Sequence, residues 1–175
     1  MELHKLYNEN CLTHSDINYH LPKLREIGEK VNHITEFGVR SGVSSVALLS
    51  SQPHTLISYD INPFERFEEL YSLKGDTNYQ FIQKSVLEVE IQETDFLFID
   101  TLHTYDQLKQ ELELHSNRVR KFIAFHDTHL FGMNGELPNT QGLNKAIIEF
   151  LNNNTEWSII YNTSENNGLL ILEKN

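Results

Sequence analysis

The sequence predicts an α/β fold with a mostly parallel sheet, helices on both faces and an antiparallel hairpin at the carboxyl end. Short apolar strands alternate along the chain with segments of helical periodicity, which is typical of a parallel sheet. The segments Asp95–Asp100 and Lys121–Phe125 are almost continuously apolar, as expected for strands covered on both faces. The last two apolar segments, Trp157–Tyr161 and Leu169–Leu172, flank an Asn-Gly pair, which indicates a hairpin.

Composition and charge exclude several classes of protein. The 175 residues suffice for one domain, which we expect to span 1–175, with 1–32 as a helical segment leading into the core. A formal net charge of -11 argues against a nucleic-acid partner. Cys11 is the only cysteine, so neither an intrachain disulfide nor a cysteine zinc cluster can form. The sequence has neither a signal-like amino terminus nor an apolar run long enough to span a membrane, so we expect a cytoplasmic protein without a membrane partner.

The first half of the chain alternates helix and strand. Apolar residues at helical spacing predict a helix from about Asp16 to Val31 that starts or kinks at Pro22. The segment His33–Val39 reads as a first strand and Val43–Leu49 as a buried helix. A second strand, Thr55–Asp60, is then followed by a helix start. Asn62 is predicted as the N-cap of that helix, and Pro63 and Glu65 complete the capping signal. Phe64, Phe67 and Tyr71 are predicted core residues.

The second half continues the same alternation. Tyr79–Gln83 is a weaker third strand, and the two strongly apolar strands are the fourth and fifth. Thr104 and Gln107 predict a capping box at the start of the helix between the fourth and fifth strands. The apolar residues of that helix are Leu108, Leu112 and Val119. A long polar loop from His126 to Gly142 leads to the helix Leu143–Leu151, and loops of this length often form binding segments.

A glycine turn joins the first strand to its helix. The segment Glu36–Ser44 holds Gly38 and Gly42, four residues apart, which permit a tight turn and close approach of a ligand. It lacks both the dinucleotide fingerprint and the Walker lysine. Asp60 ends the second strand, where nucleotide folds place a carboxylate that binds ribose hydroxyls. The pattern favours an adenosine-bearing ligand without pyrophosphate; the plain structural alternative is a strand–turn–helix junction with an incidental acid.

Acids also follow the fourth and fifth strands. Asp100 and Asp127 end neighbouring parallel strands, so their carboxylates can converge, and His126 adds a nitrogen ligand. An oxygen-rich site without cysteine favours Mg²⁺ or another hard divalent cation. As alternatives, Asp127 caps a turn, His126 is a core histidine and His103 is a solvated loop residue. His129 is a further candidate beside the site, although a loop residue is the simpler interpretation.

These motifs resemble those of class I S-adenosylmethionine (SAM)-dependent methyltransferases. The E-x-G-x-x-x-G turn resembles the family's first motif, Asp60 resembles its ribose-binding acid, and the closing hairpin resembles its seventh, antiparallel strand. The segment I-D-T-L-H-T-Y from Ile99, followed by F-H-D from Phe125, is similar to methyltransferase family 24, whose pattern is I-D-G-x-H-x-Y and then F-H-D. The chain departs from that pattern at Thr101, where glycine is usual.

The resemblance implies a Rossmann-like methyltransferase fold of seven strands and a SAM-dependent enzyme. It implies a SAM site formed by Glu36, Gly38, Arg40, Ser41, Gly42, Ser44, Asp60, Ile61, Ser85, Val86 and Asp100. In catechol-type relatives, acids at the fourth and fifth strand ends hold a metal ion, which here implies Asp100 and Asp127, with His126 as a further candidate. A basic residue three positions after the first acid deprotonates the acceptor, which implies His103 as catalytic base beside Asp100.

The expected reaction is therefore metal-assisted O-methylation of a small hydroxylated molecule, such as a sugar or a secondary metabolite. Two alternatives belong to other classes of protein. A nicotinamide-dependent oxidoreductase would need the missing G-x-G-x-x-G. A non-catalytic protein that binds SAM or a nucleoside, or serves as a scaffold, would use the same fold. A domain this small has little chain for a cap, which suggests that it forms a homo-oligomer to close its pocket.

Overall fold

A computed structural model describes residues 2–175. Its sheet has seven strands in the order β3-β2-β1-β4-β5-β7-β6. The first five are parallel, and β7 runs antiparallel to both β5 and β6. The strands are β1 His33–Phe37, β2 Thr55–Asp60, β3 Asn78–Gln83, β4 Thr94–Ile99, β5 Val119–His126, β6 Trp157–Thr163 and β7 Leu169–Lys174. This arrangement confirms the predicted mixed sheet and its carboxyl-terminal antiparallel hairpin.

Among residues 2–175, six helices cover the two faces of the sheet. They are α1 Leu3–Leu12, α2 Leu21–Gly28, α3 Val43–Ser50, α4 Phe67–Leu73, α5 Tyr105–His115 and α6 Leu143–Asn153. Apolar residues of α1, α2, α3 and α4 pack against one face of the sheet. Those of α5 and α6 pack against the other, so the central strands are buried on both sides. No helix within residues 2–175 is long and apolar enough to cross a membrane.

The amino-terminal segment differs from the single helix expected from Asp16. The helix α2 begins only at Leu21, after a short 3₁₀ turn, and Pro22 occupies its first turn, where the missing N–H costs nothing. It ends at Gly28, not at Val31. The helix α1 lies in the segment 1–32 that was expected to be helical, but a separate helix there was not predicted because few of its residues are apolar. Only Leu6 and Tyr7 of α1 are buried.

Two other predicted helix boundaries were wrong. Asn62 is not an N-cap, because α4 begins five residues later, at Phe67, with Arg66 as its N-cap. The N–H of Asn62 donates to Asp60 Oδ1 at 2.8 Å, in a turn that follows β2. Val119 is not part of α5, because that helix ends at His115 and Val119 starts β5. Thr104 is the N-cap as predicted, since its hydroxyl accepts the N–H of Gln107. The reciprocal half of the capping box is absent, because the Gln107 side chain donates to Glu111 and the N–H of Thr104 donates to the carbonyl of Leu102.

The strand order reverses between β1 and β4. The chain moves from β1 toward β2 and β3 on one side, and from β4 toward β5 on the other. The loops that follow these two strands therefore separate and leave a crevice at their carboxyl ends, which is the usual ligand position in open parallel sheets.

Candidate active site

The glycine turn after β1 is shaped by close contacts. Gly38 has a φ of +84°, and a side chain there would collide with the carbonyl oxygen of Asp100. Gly42 has a φ of +76°, and a side chain there would collide with the ring of Phe64. Between them, Arg40 also has a left-handed backbone, with a φ of +50°. Glycine is thus required at both ends of a turn that brings the β1 and β4 loops together.

Asp60 ties this turn to the end of β2. Its Oδ2 accepts the backbone N–H groups of Val39 at 2.8 Å and Arg40 at 3.0 Å. Asp60 is half-buried and lines the main pocket, the cavity at the carboxyl ends of the parallel strands. Each carboxylate oxygen can accept more than one hydrogen bond, so the side chain can hold the turn and still bind a ligand hydroxyl.

A pocket of about 780 Å³ opens at the carboxyl ends of the strands. The structure brings several predicted site residues to its wall: Gly38, Arg40, Asp60, Ile61, Ser85, Val86, Asp100, His103 and Asp127. It also adds residues that the sequence did not single out, among them Asp16, Tyr59, Lys84, Gln107, Leu130, Phe131, Glu136 and Asn167. Asp16, Glu136 and Asn167 lie on segments distant in sequence from the predicted site residues, and only the length of the loop from His126 to Gly142 pointed to Glu136.

Glu36 was expected to contact the ligand but lies beneath the glycine turn. The side chain is fully buried and accepts the hydroxyls of Ser44 at 2.6 Å, Ser45 at 2.7 Å and Ser58 at 2.6 Å. Burial raises the pKa of Glu36 to about 7, although the three hydroxyls oppose that rise. Glu36 is therefore placed as a support beneath the turn, away from the pocket wall.

Other predicted residues of the turn also lie outside the main pocket. Ser41 and Ser44 line a shallower neighbouring depression of about 450 Å³, and Gly42 lines neither. The guanidinium of Arg40 is largely exposed and pairs with Asp16, with Nη1 2.7 Å from Oδ2. His129 is exposed and lines a groove between α6 and β6, so it is not placed beside the main pocket.

Two carboxylates and two imidazoles meet at the ends of β4 and β5. His103 Nε2 lies 3.2 Å from Asp100 Oδ1 and 3.0 Å from Asp127 Oδ2. His126 Nδ1 lies 3.1 Å and 3.3 Å from the same two oxygens. Burial alone would raise the pKa of Asp100, but hydrogen bonds from both histidines outweigh it and hold that pKa well below its usual range. The convergence predicted for the two strand ends is present.

One potential metal ligand differs from the expected set, because His103 takes the place of His126. Asp100, His103 and Asp127 offer ligand atoms within 4.8 Å of one another. His126 lies behind the carboxylates, and its Nε2 donates to the backbone carbonyl of Asp16 at 3.1 Å. Burial lowers the pKa of His126, but its hydrogen bonds to the two acids raise it to about 10. With both ring nitrogens protonated, His126 is a counter-ion to the two acids in the structure as it stands.

The residues present fit both the divalent cation and the SAM molecule that were expected. Asp127 Oδ1 is buried and has no hydrogen-bond partner among residues 2–175, so it has free lone pairs for a cation. Two carboxylate oxygens with an imidazole form a donor set that suits Mg²⁺ or Mn²⁺. The large pocket beside a turn of close-packed glycines suits an extended adenosine ligand.

His103 is held from three sides at the pocket wall. Its Nδ1 lies 3.0 Å from Glu136 Oε2, and its ring stacks on Phe131 with centroids 5.0 Å apart. Burial lowers the pKa of His103, but the hydrogen bond to Asp100 and the charges of Asp100 and Asp127 outweigh that effect and raise it. Glu136 and Phe131 belong to the loop from His126 to Gly142, whose length had pointed to a binding segment.

Comparison with solved structures places the fold in a known class. An O-methyltransferase from Bacillus cereus, solved with S-adenosylhomocysteine (SAH), is 12% identical with a TM-score of 0.66 and covers 99% of this chain and 90% of its own. An SAH-bound methyltransferase from Podospora anserina is 13% identical, with a TM-score of 0.65 and coverages of 99% and 87%. The N-methyltransferase NodS from Bradyrhizobium japonicum, also with SAH, is 11% identical, with a TM-score of 0.67 and coverages of 100% and 99%. The fold is thus that of class I SAM-dependent methyltransferases.

The family follows from the sequence itself. The model of methyltransferase family 24, described as a methyltransferase domain, matches residues 35–128, which run from β1 past the end of β5. The chain therefore belongs to this family and is a SAM-dependent methyltransferase, as the resemblance implied. A comparison with curated proteins found no match.

Proposed function

We propose that this enzyme transfers a methyl group from SAM to a hydroxyl group of a small molecule, with the help of a divalent cation. The observation that carries the proposal is the position of His103 on the pocket wall, with Nε2 3.0 Å from Asp127 Oδ2 and 3.2 Å from Asp100 Oδ1. A hydroxyl acceptor needs a base, a cation or both to become nucleophilic, and this cluster supplies groups for each role.

His103 is the proposed general base. Glu136 and Phe131 fix the direction of its ring, so that Nε2 rather than Nδ1 faces the carboxylates. Nε2 faces two carboxylate oxygens, which can only accept, so it carries a proton unless a cation takes up those oxygens. With a cation on Asp100 and Asp127, the ring would keep a single proton on Nδ1, beside Glu136, and Nε2 would be free to act as the base. The acceptor oxygen would then form its bond to the methyl carbon as the bond from that carbon to sulfur breaks, and the hydroxyl proton would pass to Nε2. The products are the methyl ether and SAH, and water later removes the proton from the imidazole.

Asp100 and Asp127 are the proposed cation ligands. His103 Nε2 is assigned to the acceptor proton, and His126 could join the set through Nδ1 only after losing the proton there, so oxygen ligands would fill the remaining positions. When bound, a divalent cation lowers the pKa of a coordinated hydroxyl group and fixes its orientation. SAM, when bound, supplies a methyl group activated by the sulfonium charge. For SAM, we propose Gly38, Asp60, Ile61, Ser85 and Val86 as contacts, since all five line the pocket on the side of the glycine turn.

The test begins with calorimetric titration of SAM, with and without Mg²⁺, with NAD as the control ligand. SAH formation is then measured with a panel of catechols, phenols and sugars. We expect His103→Gln to lower turnover of an accepted substrate by about 10²–10⁴-fold, which is the usual contribution of a positioned base. His14, which is exposed, provides the matched control His14→Gln.

The outcomes separate the parts of the proposal. One-site binding of SAM but not NAD supports the cofactor, and its absence with and without Mg²⁺ contradicts it. Turnover that survives both EDTA and Asp100→Asn contradicts the role of the cation. Exclusive methylation of amines in a wider panel contradicts the hydroxyl acceptor. A cytoplasmic location and a homo-oligomer stay predictions from the sequence, and a monomeric mass in solution scattering would contradict the second.

A further inference from the structure

The turn between β6 and β7 contacts two segments that border the active site. This hairpin turn, residues 165–168, contains three consecutive left-handed residues, Asn166, Asn167 and Gly168, with φ of +46°, +71° and +99°. The sequence identified the turn only as a hairpin signal. In the structure, Asn167 lines the main pocket. The turn therefore has contacts beyond the two strands that it joins.

Asn166 binds the segment that precedes α2. Its Oδ1 accepts the backbone N–H of Tyr19 at 3.0 Å, and its Nδ2 donates to the backbone carbonyl of Ser15 at 2.8 Å. Its own carbonyl accepts His20 Nε2 at 2.9 Å. Three hydrogen bonds from one residue thus fix residues 15–20, although about 150 residues separate the partners in the chain.

The fixed segment in turn holds His126. The carbonyl of Asp16 lies 3.1 Å from His126 Nε2, and because a carbonyl can only accept, Nε2 must carry the proton. The ring of His20 packs edge-on against the ring of His126, with centroids 5.5 Å apart. The two contacts orient His126 so that Nδ1 faces Asp100 and Asp127. A contact of this kind outside the reacting groups commonly sets the tautomer of a functional histidine.

The same turn holds the chain that follows Asp127. The carbonyl of Asn167 accepts the backbone N–H groups of His129 and Leu130, each at 2.9 Å. A side chain at Gly168 would collide with the backbone nitrogen of His129, so the turn can approach this closely only with glycine. Asp127 itself has a left-handed φ of +59°, a conformation that its neighbours must maintain.

From these contacts we infer that Asn166 is a positioning residue for methyl transfer, acting through Asp16 and His126 on the two carboxylates. The inference rests on the proposed function for its effect on turnover. The link to the orientation of His126 is independent of that function and can be tested without an acceptor.

The test compares Asn166→Gly with the wild-type protein. Glycine keeps the left-handed turn but removes both side-chain hydrogen bonds. We expect the protected, hydrogen-bonded Nε2–H resonance of His126, seen in ¹⁵N-resolved NMR of the wild type, to be lost or broadened at the same pH. With an accepted catechol as the probe, we expect kcat to fall about 10-fold, within the usual range for such outer contacts, while the Kd of SAM changes less than twofold.

Two variants control for simple damage. Asn139→Gly makes the same exchange at an exposed left-handed residue, with φ of +63°, and should leave the His126 resonance and turnover unchanged. Asn154→Ala removes a side-chain hydrogen bond to the carbonyl of Phe150, far from the turn. It therefore controls for a loss of stability that leaves the contacts of Asn166 intact.

Each outcome decides the inference. An unchanged His126 resonance in folded Asn166→Gly overturns it, whether or not the enzyme methylates the probe. A changed resonance with unchanged kcat overturns the role in methyl transfer. Failure of the wild type to methylate any acceptor contradicts the proposed function, but leaves the NMR result as a direct test of the link from Asn166 to His126.

Discussion

The hydroxyl of Thr101 donates to Glu111 Oε1 at 2.6 Å, so the residue that departs from the family pattern satisfies a buried carboxyl group. Gln107 Nε2 donates to the same oxygen at 2.8 Å, whereas Oε2 is buried without a partner among residues 2–175. Burial raises the pKa of Glu111 to about 7, and the Thr101 hydroxyl opposes that rise. Thr101 is thus explained by its contact with α5.

Removal of this hydroxyl should destabilise the protein. We expect Thr101→Val to lower the free energy of unfolding by about 1–3 kcal/mol, because it leaves a buried acceptor without one of its donors. Urea unfolding at pH 7 measures the change. In the Glu111→Leu background the same substitution should have little effect, and equal losses in both backgrounds would show that the two residues are not coupled.

Glu36 should make stability depend on pH. Its pKa rises from 4.5 to about 7 on folding, so the unfolded chain loses the proton first as pH increases. The stabilisation is fully present below pH 4.5 and is lost as pH rises to about 7, at a cost of about 3 kcal/mol for this buried group. We expect Glu36→Gln to remove this part of the pH dependence in urea unfolding between pH 5 and 8. Glu111 titrates in the same range and adds its own slope, which the wild type and Glu36→Gln share.

A parallel slope in the wild type and in Glu36→Gln would contradict the raised pKa. Glu88, on the exposed side of the short turn after β3, provides the control substitution Glu88→Gln, which should leave the slope unchanged.

Gly38 should tolerate no side chain. Gly38→Ala adds both left-handed strain and a collision with the carbonyl of Asp100, so we expect a loss of more than about 3 kcal/mol of stability or no folded protein. Gly75→Ala is a matched control, because Gly75 has a φ of +58° but open space around a side chain. It should cost only the strain, about 1 kcal/mol. Equal effects in urea unfolding would refute the close packing of the turn.

Asp60 should be needed for SAM binding. Asp60→Ala removes a carboxylate from the pocket wall and also frees two N–H groups of the turn, so we expect the Kd of SAM to rise about 10–100-fold. Calorimetry provides the measurement, and Asp76→Ala, at an exposed loop residue, is the control. Unchanged affinity in Asp60→Ala would remove Asp60 from the binding site.

Regular patterns predicted the framework well. The bounds of β2, Thr55–Asp60, follow directly from its apolar residues, and the meeting of Asp100 with Asp127 follows from the rule for neighbouring parallel strands. The hairpin was predicted from Asn167 and Gly168. These features depend on local spacing or on topology, both of which a sequence displays.

The errors arose where distant residues decide the outcome. Glu36 was predicted as a SAM residue from the E-x-G-x-x-x-G turn, but serines from α3 and β2 enclose its side chain, so it does not line the pocket. Asn62 looked like an N-cap, but the chain turns there and α4 begins only at Phe67. Asp16, Glu136 and Asn167 reach the pocket through loops, whose paths depend on packing that no short motif records.

The position of β7 makes the active site depend on a strand that follows the other six strands of the sheet in sequence. β7 comes after β6 along the chain, yet it lies between β5 and β6, and the turn that precedes it holds both borders of the pocket. The pairing of β7 with β5 joins segments that are distant in sequence, and such long-range pairing is slow. We therefore expect the pocket to take its final shape only after β7 has entered the sheet.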